Sequence, residues 1–197
     1  MLRIYGDMAS GNCQKVKWTA DWLGLDYEWC EVDILKGETR TEEFLARNPF
    51  GQVPVLELED GRTLAQSNAI IRYLARDSAL VPADDFAMAK MDAWLFWEQY
   101  SHEPYVAVCR FQMRYLGRGA EEREAWRVER GEAALDVLEA HLAERDWLVN
   151  DDMTLADVAL LPYTRLAHEG GFDLSERPAI RRWIARGEER LGLAPVH

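Results

Sequence analysis

The feature that most constrains the fold of this 197-residue chain is a change in periodicity near residue 78. Before it, the strand-like runs LRIY, YEWCEVDI, VPVLEL and RTLAQ alternate with runs of helical spacing, GNCQKVKWTADWLGL, TEEFLAR and SNAIIRYLAR. Asp60-Gly61, between the last two strand-like runs, is a strong hairpin signal. The resulting order, βαβαββα, predicts an α/β domain over residues 1–78.

Beyond residue 78 the strand signals end. The stretch SALVPADDF, which contains Pro82 and paired acids, predicts a linker over residues 79–87. Residues 88–197 are rich in Ala, Leu, Glu and Arg at helical spacing, which predicts an all-α helical-bundle domain. We expect Pro104 to kink or divide a long helix in this domain, because proline removes one intrahelical donor.

One helix start in the second half is explicit in the sequence. In NDDMTLADVALL, Thr154 can cap the helix and Asp157, three residues on, can accept from the amide of the cap. Met153 and Val158 have the spacing of a hydrophobic staple. A structural role accounts fully for this motif, and we assign it no chemistry.

Charge and composition exclude several classes of function. The formal net charge of −12 argues against a nucleic-acid surface, which requires clustered Lys and Arg. No run approaches the roughly 18 apolar residues of a membrane span, and MLRIYGDMAS lacks the profile of a secretory signal. The three cysteines are odd in number and widely spaced, and the histidines have no metal-ligand spacing. We therefore expect a cytoplasmic protein with reduced thiols, no metal, no nucleic-acid partner and no membrane partner.

Pro54 stands near the start of a strand-like run, although proline cannot donate a hydrogen bond to a sheet. One interpretation is a proline that merely begins an edge strand. The other is a cis Val53-Pro54 bond that leaves the amide and carbonyl of Val53 open to an extended peptide, as in strand addition. A βαβαββα domain with a proline at this point predicts a thioredoxin-like fold.

The residues that follow favour a peptide ligand. In AQSNAI, Gln66 is predicted to end a strand and Ser67 to begin a helix. A serine hydroxyl beside the free amides of a helix N-terminus is suited to a carboxylate. Ser67 alone would be an ordinary helix cap, but together with Pro54 it predicts a peptide held at its middle by Val53 and at its acidic end by Gln66 and Ser67.

The stretch NPFGQVPVLELEDGRTLAQSNAIIRYLA resembles the glutathione-binding segment of the cytosolic glutathione transferases. YGDMASGNCQKVKWTADWLGLDYEWCEVD resembles the first βαβ unit of that family, and MTLADVALLP resembles the capped helix of its C-terminal domain. The resemblance is to serine-type, theta-like or zeta-like bacterial members. It implies a two-domain fold, glutathione as co-substrate, a small hydrophobic electrophile as second substrate, and a homodimer.

The resemblance also implies a residue that holds the glutathione thiol as its thiolate. Ser10, just ahead of the first helix, matches the serine of the theta-like and zeta-like classes, whereas Tyr5 lies too early to match the tyrosine classes. Asn12 at the same helix start is the alternative donor. Ser10 is equally well interpreted as a helix cap, and Cys13 as a core residue aligned with Val16 and Ala20.

Other positions would hold the remainder of the peptide. Gln52 matches a family position that contacts glutathione near its centre. Theta-like members carry a histidine for the glycine end where this chain has Thr39, so Arg40 or Lys36 is the predicted substitute. Both cations are also interpretable as solvated surface residues.

The electrophile pocket is predicted near WLFWEQYSHEPYVAVCRFQMRYL, with Tyr105 as a lining residue and Arg110 orienting an acidic group. Further aromatic candidates are Trp97, Tyr100, Phe111 and Tyr115. Phe50 resembles the aromatic residue that some members insert into the partner subunit, although it is also suited to cover its own domain.

The leading hypothesis is a glutathione S-transferase whose activated thiol attacks the electrophile. Two alternatives remain open at the level of sequence. One is a glutathione-dependent isomerase or reductive dehalogenase on the same fold. The other is a non-catalytic family member that binds a ligand or a protein.

Overall fold

The computed structural model describes residues 1–196. The chain divides after Val81 into two compact units, each with its own internal contacts. The division falls inside the segment 79–87 that the sequence indicates as a linker. The first helix of the second unit begins earlier than that segment ends, at Asp85, because the side chain of Asp84 accepts a hydrogen bond from the amide of Ala87.

The first unit has the predicted order of strands and helices. Its elements are β1 (Leu2–Gly6), α1 (Gly11–Trp22), β2 (Tyr27–Glu31), α2 (Glu42–Arg47), β3 (Val55–Glu57), β4 (Thr63–Ala65) and α3 (Ser67–Leu74), with a 3₁₀ turn at Glu38–Arg40 before α2. The four strands form one mixed sheet in the order β2-β1-β3-β4, in which β1 is parallel to β2 and antiparallel to β3. This is the thioredoxin-like α/β domain that the sequence predicts.

The core of this unit comes from the faces that the sequence pattern predicts. Cys13, Val16 and Ala20 on α1 are fully buried, as are Ile70 and Ile71 on α3. Helices α1 and α3 pack against each other. This packing explains the alternation of short apolar runs along the first half, since each run supplies one buried face.

The strands are shorter than the runs that predict them. β3 covers only Val55–Glu57 of VPVLEL, and β2 stops at Glu31. After β2 the carboxylate of Asp33 accepts from the amides of Leu35 and Lys36, so the chain turns there. Local side-chain bonds of this kind compete with sheet pairing and are hard to predict from a pattern alone.

The regular secondary structure of the second unit is helical throughout the described residues. Its elements are α4 (Asp85–Trp97), α5 (Glu103–Arg110), α6 (Ala125–Leu142), α7 (Leu155–Arg165) and α8 (Pro178–Leu191). Two π-helical segments, Glu98–His102 and Phe111–Tyr115, flank α5. Pro104 lies in the first turn of α5, directly after the first π segment, so the regular α-helix is interrupted where the sequence predicts a kink or a division.

The predicted capping box at the start of α7 is confirmed. Asp157 is buried, and its carboxylate accepts from the amide of Thr154, the amide of Leu148 and the indole of Trp183. Burial raises the pKa of Asp157, although these donors act in the opposite direction. Within the described chain, none of the helices has the length and apolar character that crossing a bilayer requires.

Candidate functional site

Three chain segments reach the same edge of the sheet. Tyr5 near the end of β1 pairs with Val55 at the start of β3, and Val55 pairs with Ala65 at the end of β4. Because β1 and β4 end where β3 begins, the segments beyond them start from one edge. The structure thereby brings together the start of α1, the chain before β3 and the start of α3, which carry the predicted residues Ser10, Val53 and Ser67.

The Val53-Pro54 peptide bond is cis, as the peptide-binding interpretation requires. Val53 lies just before β3 and is half-buried against a core cluster that contains Val32, Phe44 and Val55. Among the described residues, neither the amide nor the carbonyl of Val53 has a backbone hydrogen-bond partner. Both main-chain groups are therefore available to pair with an extended ligand.

Ser10 occupies the cap position of α1, but its side chain caps no amide within residues 1–196. Its hydroxyl lies within hydrogen-bond reach of the Cys13 thiol instead. Burial raises the pKa of Cys13 to about 12, and the bond from Ser10 only partly offsets this. Cys13 is therefore a neutral core thiol. Ser10 has the position of a helix cap, but its hydroxyl does not form a capping hydrogen bond among the described residues.

The start of α3 is unusual in its backbone. Gln66 has φ of 73° and is the one residue other than glycine with positive φ in the described part of the chain. The prediction that Gln66 ends a strand is wrong, since β4 ends at Ala65 and this left-handed residue turns the chain directly into the helix. Strained backbone of this kind is found at ligand sites, where the geometry must be held before the ligand arrives.

A buried polar cluster connects the starts of α1 and α3. The hydroxyl of Ser67 donates to Oδ1 of Asn12 at 3.0 Å, and Nζ of Lys15 donates to the same oxygen at 2.8 Å. Nζ of Lys15 also lies 3.5 Å from Oδ1 of Asn68. Lys15 is fully buried. Sequence reasoning missed Lys15; the available signal was a lysine one position from the buried face of α1.

Asn48 is a second residue that sequence reasoning missed. Its buried amide nitrogen donates to the carbonyl of Gln52 at 2.6 Å, and its amide oxygen accepts from the backbone amide of Phe50 at 3.1 Å. The loop that leads to Pro54 is thus held from within by one side chain. An asparagine directly after a short helix is the signal that could have indicated this.

The predicted residues for the centre and glycine end of the peptide lie near this loop. Gln52 is exposed. The guanidinium of Arg40 lies against Gly51, whose φ is +61°, so that a Cβ at this position would meet the guanidinium at 2.5 Å. Thr39 is buried, and Lys36 forms an exposed ion pair with Asp33. Of the two predicted cations, Arg40 is therefore the one beside Gln52.

The residues predicted for the electrophile pocket have partners within the helical unit. The hydroxyl of Tyr105 accepts from Arg130, and its ring packs edge-on against Trp126. Arg110 is buried and forms an ion pair with Glu169 at 2.6 Å. Their roles stay predictions, and the buried ion pair of Arg110 does not favour a role in orienting a substrate.

A cavity of about 420 Å³ opens between α4 and α6. Trp94 and Trp97 form one wall with their rings packed edge to face, and His141 packs against Trp94. Lys90 and Arg145 also line it. Elsewhere on the chain, Phe50 is 59% exposed on the loop that Asn48 holds.

The fold and this edge define a two-domain protein with a thioredoxin-like domain followed by a helical one. Comparison with known proteins identifies the family. Residues 9–77 match the family model for the N-terminal domain of glutathione S-transferases, and residues 93–190 match the model for the C-terminal domain. The chain belongs to the glutathione S-transferase family.

Individual relatives agree with this assignment over nearly the whole chain. Glutathione S-transferase 3 of Zea mays is 36% identical over 92% of this chain and 86% of its own length. The crystal structure of a glutathione S-transferase from Pseudomonas fluorescens is 48% identical, with a TM-score of 0.94 over 98% of both chains. A second crystal structure, from Xanthobacter autotrophicus, is 42% identical, with a TM-score of 0.91 over 100% of this chain and 96% of that one.

Proposed function

We propose that this chain is a serine-type glutathione transferase, which ionises the thiol of glutathione beside Ser10 and delivers it to a small hydrophobic electrophile. The observation that carries the proposal is the common edge of the sheet. There the open main chain of Val53, the hydroxyl of Ser10 and the start of α3 are held on three connected strands. Family membership supplies the co-substrate, glutathione.

The peptide would bind in an extended form. Its cysteine residue pairs with the amide and carbonyl of Val53, beside the cis Pro54, and its γ-glutamyl carboxylate lies at Gln66 and Ser67. Gln52 contacts the middle of the peptide, and Arg40 contacts the glycine carboxylate. This arrangement directs the sulfur toward the start of α1.

The chemical task is to hold the sulfur as a thiolate. A free thiol with pKa about 8.5 is only a few per cent ionised at neutral pH. A hydroxyl that donates to sulfur, together with the amides at the start of α1, favours the charged form. Lowering the pKa by about two units corresponds to roughly 2.7 kcal/mol, which such a charged hydrogen bond and helix terminus can supply together.

Ser10 needs only a rotation of its side chain to do this. In the free protein its hydroxyl lies beside the Cys13 thiol, which is neutral and buried. A ligand thiolate is a stronger acceptor than a neutral thiol, so the hydroxyl would turn outward when glutathione binds. The thiolate then attacks an electrophilic carbon of the second substrate, and the bond from that carbon to the leaving group breaks.

The test is Ser10→Ala with Cys13→Ala as the matched control. We expect Ser10→Ala to retain glutathione binding but to lose most thiolate absorbance in an ultraviolet titration of the bound thiol. Cys13→Ala should still form the thiolate, because the reacting sulfur belongs to glutathione. An unchanged titration in Ser10→Ala would remove Ser10 from the donor role.

Product analysis separates this proposal from the two alternative functions. A transferase consumes glutathione into a stable adduct, whereas a glutathione-dependent isomerase returns it unchanged. A reductive dehalogenase oxidises two glutathione molecules to the disulfide for each halide released. A protein that binds glutathione and turns over no electrophile would be a non-catalytic member.

The proposal includes a cytoplasmic homodimer. Phe50 projects from a loop that Asn48 fixes, and the aromatic cavity between α4 and α6 is suited to receive it from a second copy. Three free cysteines fit a reducing compartment. Phe50→Ala should shift sedimentation toward the monomer, and a dimer of unchanged stability would contradict this role of Phe50.

A further inference from the structure

We infer that Lys15, acting through Asn12, is a positioning residue for the ligand carboxylate at the start of α3. The inference rests on the proposed function, because it concerns the subsite that would take the γ-glutamyl carboxylate of glutathione. It assigns a role to Lys15, a buried cation on α1.

Complete burial of Lys15 is costly without a compensating role. A lysine ammonium loses its hydration when it leaves water, and natural proteins keep such groups only where hydrogen bonds or charges compensate the loss. Here Nζ donates to Oδ1 of Asn12 at 2.8 Å and lies 3.5 Å from Oδ1 of Asn68. Asn12 belongs to α1 and Asn68 to α3, so Lys15 spans the two helix starts that border the carboxylate subsite.

Asn12 connects this cation to the predicted carboxylate contact. Ser67 has one hydroxyl proton, and in the structure it donates that proton to Oδ1 of Asn12. To donate to an incoming carboxylate, the hydroxyl must leave Asn12. Oδ1 of Asn12 then still accepts from Nζ of Lys15, so no buried acceptor is left unsatisfied by the exchange.

The charge of Lys15 acts in the same direction. A carboxylate that accepts from Ser67 would lie at the start of α3, which Lys15 borders through Asn68. In a partly desolvated site a nearby positive charge stabilises an anion, and the amides at the start of α3 add to it. The effect concerns how tightly the carboxylate binds and does not depend on the ionisation of the thiol.

The same geometry changes the interpretation of Asn12. Its side-chain oxygen is directed into the cluster with Ser67 and Lys15. Asn12 therefore belongs to the subsite for the γ-glutamyl carboxylate, where its side-chain oxygen accepts from Lys15 and, in the free protein, from Ser67. Ser10 stays the candidate beside the thiol.

The test measures binding by calorimetry of glutathione and of the analogue in which hydrogen replaces the γ-glutamyl α-carboxylate. Lys15→Gln keeps a donor for Asn12 but removes the charge, and Lys15→Arg keeps the charge. Lys17→Gln on the same helix is the matched control, since Lys17 is bonded to Asp21 and Tyr27 on the surface. Thermal unfolding of each variant checks that it is folded.

We expect Lys15→Gln to weaken glutathione binding about tenfold, with the analogue changed less than about twofold. Lys15→Arg should stay within about threefold of the wild type for both ligands. Combining Lys15→Gln with Ser67→Ala should cost less than the two single effects together, because without the Ser67 hydroxyl the carboxylate is no longer held beside Lys15.

Two results would overturn the inference. One is Lys15→Gln binding glutathione as tightly as the wild type does. The other is an equal loss for both ligands, which would show that Lys15 only supports the fold. These results differ from a failure of the proposed function, in which the wild-type protein itself binds no glutathione.

Discussion

The starts of α3 and α7 differ in how they treat the unpaired amides of the first helical turn. At α7 the side chains of Thr154 and Asp157 satisfy those amides inside the core. At α3 the cap residue is Gln66, which makes no side-chain capping bond within the described residues, and the hydroxyl of Ser67 is directed to Asn12. The first start is closed and structural, whereas the second is open at the edge where a ligand would bind.

The two helix starts therefore contribute to different properties, one to the stability of the fold and the other to ligand binding. A closed helix start contributes to the free energy of unfolding and to nothing else, since its donors and acceptors are already paired. An open start contributes little to stability and keeps its amides for an anion. The same sequence signal, a serine or threonine at the start of a helix, therefore has opposite meanings in the two units.

The largest expected effect is on the closed start. Asp157→Ala leaves the amides of Leu148 and Thr154 and the indole of Trp183 without their buried acceptor. We expect a loss of about 3 to 5 kcal/mol in the free energy of unfolding, measured by denaturant titration. Glutathione affinity of the folded fraction should not change. A loss below about 1 kcal/mol would contradict the structural role of the cap.

The open start should show the reverse. Ser67→Ala removes the hydroxyl proposed to donate to the ligand carboxylate, so glutathione should bind about tenfold more weakly by calorimetry. Stability should change little. The matched control is Ser78→Ala, because the hydroxyl of Ser78 donates to the nearby carbonyl of Ala75 and accepts from the nearby amide of Leu80. If affinity is unaffected, the carboxylate does not bind at the start of α3.

A smaller effect isolates the backbone geometry at Gln66. Gln66→Gly and Gln66→Ala both remove the side chain, but only glycine adopts φ of 73° without strain. We expect the glycine variant to be more stable than the alanine variant by about 1 kcal/mol in urea unfolding. Equal stability of the two would show that this backbone position is not strained.

The smallest effect concerns His141 in the helical unit. Burial lowers the pKa of His141, and Arg145 and Lys90 lower it further, while its Nε2–H donates to the carbonyl of Leu148. Because the unfolded chain then binds the proton more readily, stability falls as the pH drops below the ordinary histidine value. In the uncharged variant His141→Gln this loss of stability at low pH should be smaller by about a few tenths of a kcal/mol. The effect is small because solvent screens the charge of a half-buried group.

Unfolding titrations of the wild type and His141→Gln at pH 7 and pH 5.5 would measure the difference. If the folded and unfolded chains protonate His141 equally easily, the stability of the two proteins should change by the same amount between these pH values. Such a result would remove His141 as a source of pH dependence.

Much of the fold was predictable because it follows from the periodic spacing of apolar residues along the sequence. The order βαβαββα, the helical second half and the Thr154 cap each follow from local spacing, and the structure confirms them. The cis bond before Pro54 was predictable only in combination with Ser67, since a proline at a strand start is by itself ambiguous.

What the sequence did not predict depends on contacts between distant residues. Lys15 meets Asn68 across 53 positions of the chain, and no local pattern indicates that a lysine beside a buried helix face is itself buried. The ion pair of Arg110 with Glu169 spans 59 positions and is equally invisible in the sequence. The left-handed Gln66 was missed because glutamine has no preference for positive φ.

The side chain of Asn48 ties two surface features to one another. Its nitrogen fixes the carbonyl of Gln52, and its oxygen fixes the amide of Phe50. An engineer who wishes to redesign the peptide contact proposed for position 52 without disturbing the subunit contact proposed for position 50, or the opposite, must keep this asparagine, because replacing it releases both at once.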